Sequence, residues 1–161
     1  MRNVVGGLVL LLAGCHSVIP PQTTQYDRYG QEVRFWADPE NYHTTGDHGA
    51  VAKYVDQNPF VFYNPQWFSS MPEEMQTFFF QHEVAHFRLK HVKRKPYFVT
   101  EKQKMLMEMQ ADCHSIIYLK NKLHYSADQF ETIFEFADFQ LEGYRVRNLG
   151  DCLRINKHQH F

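Results

Sequence analysis

The chain has 161 residues, 43% hydrophobic and 16% aromatic, enough apolar material for one core and too much for a disordered chain. Its 17 Lys and Arg against 18 Asp and Glu lack the basic excess of a protein that tracks phosphates, so no nucleic-acid partner is expected. The ten histidines are many for this length and require a chemical explanation.

Residues 1–14 read as a signal segment: Arg2 supplies a positive charge, Val4 to Ala13 is apolar but too short to span a bilayer, and small residues follow. The run Leu12-Ala13-Gly14-Cys15 resembles a bacterial lipobox, which implies cleavage before Cys15 and a lipid on its thiol. An ordinary secretory signal is the alternative. Loss of Arg2 would leave 16 basic against 18 acidic residues. The residue after Cys15 is His16 rather than an Asp that would favour inner-membrane retention. The expected address is therefore the outer membrane, facing the periplasm. Residues 15–30 are polar, carry Pro20-Pro21 and read as a lipidated tether, which leaves 31–161 as the folded domain.

Residues 31–37 suit a short strand, and 38–49 a loop rich in Pro, Gly, Asn and Asp. The loop holds His43, Asp47 and His48, which read as solvated residues or, alternatively, as metal ligands. Phe60-Val61-Phe62-Tyr63 is β-prone and is followed by Asn64-Pro65, as for a strand at a sheet edge. Three helices follow, each opened by a Ser or Thr with Glu or Gln three residues on: Ser70 with Glu73, Thr100 with Gln103, and Ser126 with Gln129. The first is expected to reach about His91, the second to cover about 101–123, and the third to end near Gly143 as its C-terminal cap. The expected fold is α+β: a small sheet with an edge strand, then a helical half.

The chemistry centres on His82-Glu83-Val84-Ala85-His86. Two histidines four apart leave one helix face a turn from each other, so both imidazoles can reach one Zn²⁺. Glu83, beside the first, can reach a water on that ion without ligating it and act as general base. Two surface histidines on an ordinary helix are the bland alternative. On the next helix stands Glu108-Met109-Gln110-Ala111-Asp112. HExxH followed by ExxAD resembles the gluzincin metallopeptidases, particularly the branch of CAAX-type membrane endopeptidases and periplasmic quality-control proteases. The resemblance implies a zinc peptidase in which Glu108 is the third metal ligand and Asp112 buttresses a ligating His. It covers about 60–117 and extends to Gly143-Tyr144-Arg145, where it implies that Arg145 stabilises an oxyanion; a surface arginine is the alternative. The membrane-embedded relatives carry further spanning helices that this chain lacks, so their substrates do not carry over.

Other third ligands are open to consideration. His91 lies five residues after His86 and would point roughly 140° away on a continuing helix. Asp112 could ligate with Glu108 behind it. His114 reads as a packed or solvated residue. Cys113 and Cys152 remain as an even pair if Cys15 is lipidated, and in an oxidising compartment they suit a disulfide. Two free thiols, or Cys113 as a ligand, are the alternatives. The strand over 60–63 would hold an extended peptide beside the metal, or serve only as a core strand. The sequence thus points to a zinc-dependent endopeptidase acting on extended or unfolded polypeptide. A non-catalytic metal-binding envelope lipoprotein and a cell-wall peptide amidase using the same site are the rivals.

Overall fold

A computed structural model describes residues 18, 20–21, 23–44, 49–93, 98–141 and 143–155. Among these residues four strands form one mixed sheet: β1 Gln25–Tyr26, β2 Glu32–Ala37, β3 Ala50–Val55 and β4 Asn58–Tyr63, in spatial order β1-β2-β4-β3. β1 pairs antiparallel with β2, β2 runs parallel to β4, and β3 is antiparallel to β4. Five helices follow among the described residues: α1 Pro65–Ser69, α2 Glu73–Arg88, α3 Glu101–Asn121, α4 Ala127–Gln140 and α5 Gly143–Ile155. The α+β class read from the sequence is the observed one. No helix among the described residues is long and apolar enough to cross a membrane.

The register places Val33 and Phe35 of β2, Val61 and Tyr63 of β4, and Ala50, Ala52 and Tyr54 of β3 on one face, as the two-residue period of strands requires. That face meets α2, whose Phe80 packs edge-on against both Phe35 and Tyr63 and whose Phe87 meets Tyr54. Phe78, Phe80, Val84 and Phe87 have no exposed surface. The aromatic run before His82 therefore anchors the helix that carries the motif. β3 and β4 are joined by Asp56 and Gln57, both left-handed (φ 47° and 69°), the conformation of a two-residue hairpin turn.

Several expectations are corrected. Phe60–Tyr63 is not at the edge, because β2 adds parallel to β4 from Phe60 onward. Pro59 lies just before that pairing starts, so its missing N–H leaves no gap in the ladder. Pro65 lies beyond the strand and opens α1, with Asn64 as the cap. The edge next to the motif is β3. The folded part also begins before residue 31: β1 lies within the expected tether, and Gln25 and Asp27 are buried.

Ser70 does not cap α2. Its backbone is already helical, closing α1, and its hydroxyl donates to the Trp67 carbonyl (2.7 Å). α2 starts after Pro72, with Glu73 and Glu74 facing the positive end of its dipole. The Thr100–Gln103 and Ser126–Gln129 boxes are both formed. Gly143 is not a cap but the first residue of α5. Gly49 lies against the Trp67 ring, where a Cβ would stand 1.7 Å from a ring carbon, so only glycine fits between β3 and α1.

Cys113 of α3 and Cys152 of α5 form a disulfide across 39 residues. A loop of that length contributes about 4 kcal/mol in the chain-entropy treatment. The double variant Cys113→Ala, Cys152→Ala should therefore unfold about 2–4 kcal/mol more easily in a denaturant titration. An unchanged midpoint would show that the bridge adds nothing to the packing of α5.

Candidate metal centre

α2 presents His82 and His86 toward α3, which presents Glu108 and Asp112 from successive turns of one face. Buried Ala111 keeps the two helices close. The His82 and His86 Nε2 atoms are 3.0 Å apart. Glu108 puts Oε2 3.1 Å from His82 Nε2 and Oε1 3.5 Å from His86 Nε2. These donor atoms lie within 4.8 Å of one another. A tetrahedral ion with ligands at 2.0–2.1 Å sets its donors roughly 3.3–3.4 Å apart. The three side chains fit one such ion.

The electrostatics agree. Burial works against a charged His82, but Asp112 and Glu108 outweigh it and lift its pKa to about 10. Burial, then the neighbouring His82, push His86 down to about 3. Glu108 is raised by burial but pulled to about 2 overall by its hydrogen bond to His82 and the surrounding cations. Without an ion the donor set thus holds one proton, on His82, opposite the ionised Glu108 and beside a neutral His86. A proton on His82 and a metal cation would compete for these donors, so metal binding would release the proton.

Asp112 has no exposed surface. It accepts from His82 Nδ1 (2.8 Å), Arg145 Nε (2.8 Å) and Arg145 Nη2 (2.7 Å). Burial would raise its pKa, but the Arg145 fork and His82 hold it below the usual carboxylate range. Arg145 is not a surface arginine: its side chain is 13% exposed. Two of its nitrogens are committed to Asp112, and Nη1 lies 3.6 Å from Glu108 Oε2. Glu83 is buried beside the donors and accepts a hydrogen bond from the Ala52 N–H of β3. Burial is the main reason its pKa rises to about 7.

The remaining candidates separate cleanly. Asp112 faces Nδ1 of His82, on the far side of the ring from the donor cluster, and is not a third ligand. Cys113 is in the disulfide and is not a ligand. His43 stacks on Phe62 on the opposite sheet face (centroids 3.9 Å apart) and donates its backbone N–H to Asp38. His114 is partly buried and not among the grouped donors; burial, then the nearby Arg88 and His91, lower its pKa to about 4. Cys15, Asp47 and His48 lie outside the described residues. His91 does not point away, because α2 ends at Arg88 and the chain folds back. Its Nδ1 is 3.1 Å from His86 Nδ1. Sequence reasoning missed this contact, and Ala52 as the partner of Glu83.

A family model described as "Putative metallopeptidase domain" matches residues 41–113, which hold His82, Glu83, His86, Glu108 and Asp112. The match supports a metallopeptidase-like family. It covers under half of the chain and ends before Arg145. No curated protein and no solved structure matches the chain. Family and geometry together point to a metal-dependent hydrolase with His82, His86 and Glu108 as the group that can hold the ion.

Removing one partner of a buried ion pair strands the other, at a cost of about 3–5 kcal/mol. Arg145→Leu should lower the stability of the full chain by that order, and Arg145→Lys by less. A melting temperature unchanged in Arg145→Leu would contradict the clamp.

Proposed function

We propose that the chain is a zinc-dependent endopeptidase of the gluzincin type, acting on extended or unfolded segments of envelope polypeptides. Its lipid, on Cys15, would hold it at the outer membrane facing the periplasm, with 1–14 removed as the signal. The observation that carries the catalytic reading is Glu83. A buried carboxylate stands beside three metal donors without being one of them, and its strand N–H and nearby cations only partly offset its desolvation, since burial still raises its pKa. Binding metal alone does not need it.

His82, His86 and Glu108 would hold the zinc, with the Glu83 carboxylate beside them. The ion, when bound, supplies Lewis acidity, which lowers the pKa of a water and polarises a carbonyl. Glu83 accepts the proton of the attacking water as the new C–O bond forms. It then returns that proton to the amide nitrogen as the C–N bond breaks, so its ionisation is restored each turnover. Its burial favours this double use, because a carboxyl near pH 7 both takes and yields protons; positive charge on the donors favours the ionised form. Arg145 Nη1, the nitrogen left by the Asp112 clamp, would face the developing oxyanion.

The cleft has a volume of about 660 Å³ and is lined by Ala50 and Ala52 of β3, by Glu83 and His86, and by Met105 and Arg145. Asn64 N–H bonds to Gly49 O, so the antiparallel alternation turns the main-chain groups of Ala50 and Ala52 away from β4. With the Ala52 N–H taken by Glu83, an extended peptide would lie along that side of β3 by strand addition through the main-chain groups of Ala50 and the Ala52 carbonyl. The role expected of Phe60–Tyr63 passes to β3.

The test compares the zinc-loaded full chain with two variants on casein and on a panel of cell-wall peptides. Glu83→Gln should keep its zinc and lose about 10²–10⁴-fold in hydrolysis. Glu108→Gln should instead lose zinc, because a ligand is gone. A Glu83→Gln protein as active as wild type would overturn the mechanism. Cleavage of the cell-wall panel alone would move the reading to an amidase using the same site.

A further inference from the structure

α2 stops without a glycine. Leu89 is the cap residue, Lys90 takes the left-handed conformation (φ 67°), His91 N–H bonds to His86 O (2.8 Å) and Lys90 N–H to Phe87 O (3.3 Å). These two bonds around a left-handed residue make a Schellman motif, one that normally uses Gly where Lys90 stands. A non-glycine residue there costs roughly 1–2 kcal/mol in backbone strain, so the reversal needs support from contacts it creates. It creates one at the metal centre. The turn carries the His91 ring back over the helix end, where its Nδ1 lies 3.1 Å from His86 Nδ1 and its Nε2 lies 3.0 Å from Gln110 Oε1 on α3.

Proton directions follow from the ligand set. A histidine that gives its Nε2 lone pair to an ion carries its proton on Nδ1. His86 Nδ1–H then donates to His91 Nδ1, which leaves the His91 proton on Nε2, where Gln110 Oε1 accepts it. Each bond in this chain has one donor and one acceptor, and Gln110 selects the His91 tautomer that can accept. His82 has its outer carboxylate in Asp112, whereas among the described residues no carboxylate is paired with His86 Nδ1; His91 occupies that place.

We propose that His91 is a positioning residue of the metal centre: it holds the His86 ring with Nε2 toward the ion and is itself oriented by Gln110. This rests on His86 being a ligand, as argued above. Outer partners of ligating histidines typically contribute 10–100-fold to metal affinity.

The experiment titrates zinc into the full chain against a chromophoric chelator, and records the melting temperature of each zinc-free protein. His91→Phe, which keeps an aromatic ring but cannot accept, should weaken zinc binding by about 10–100-fold. His91→Asn, whose side-chain oxygen falls near the position of Nδ1, should recover a large part of the loss. Gln110→Leu, at an exposed position that leaves the fold intact, should weaken binding several-fold. Unchanged zinc affinity in His91→Phe, or equal weakening in His91→Phe and His91→Asn, would overturn the inference while leaving the ligand set standing. Were His91→Phe to unfold, unchanged affinity in Gln110→Leu would overturn it instead. A wild-type chain that takes up no zinc would remove the ligand reading, and the inference with it.

Discussion

A carboxylate with no surface in water must be matched by positive or hydrogen-bonding partners, and around Asp112 this requirement organises the helical half. Its two oxygens take the Nδ1 of His82 from α2 and the guanidinium fork of Arg145 from α5. One residue of α3 thereby ties three helices at a single point. Any shift of α2 or α5 leaves a buried charge short of a partner, which costs several kcal/mol. The same bond that stabilises the packing also orients His82, turning its Nε2 toward His86 and Glu108. Stability and site geometry therefore share one contact. The disulfide between Cys113 and Cys152, one residue beyond Asp112 on α3, secures α5 against the same stretch.

The sheet contributes by a different constraint. Its buried face holds α2 through Phe80 and Phe87, and its β3 edge runs past Glu83, whose carboxylate takes the Ala52 N–H. A carboxylate that binds an edge-strand amide is fixed relative to whatever else lies along that edge. In the proposed reaction this sets the general base and the peptide in one frame, so their relative position does not depend on loop motion.

The helix-borne part of the site was legible because its spacing is local. His82 with His86, and Glu108 with Asp112, are each four apart, and helical periodicity alone puts each pair on one face. The capping boxes at Thr100 and Ser126 were legible for the same reason. What failed depended on backbone states that the residues do not advertise. Ser70 has box spacing to Glu73, but its backbone is still closing α1 and Pro72 opens α2. The β3–β4 hairpin turns on Asp56-Gln57 in left-handed conformations usually signalled by Asn-Gly or Asp-Gly. Likewise nothing in Leu89-Lys90 marks a helix end, so His91 read as pointing away from the site it contacts. α5 was missed because Gly143 reads as a stop, although here it opens a helix; Arg145, in the first turn, owes its place to that helix.

In the proposed centre His82, His86 and Glu108 converge on one ion while Glu83 stands beside it unligated. Crystals of the full chain grown with zinc and measured on both sides of the zinc absorption edge would locate the ion. One anomalous peak is expected at about 2.0–2.2 Å from His82 Nε2, His86 Nε2 and a Glu108 oxygen. A peak ligated by Glu83 or Asp112, or no peak between α2 and α3 at saturating zinc, would contradict the proposed centre.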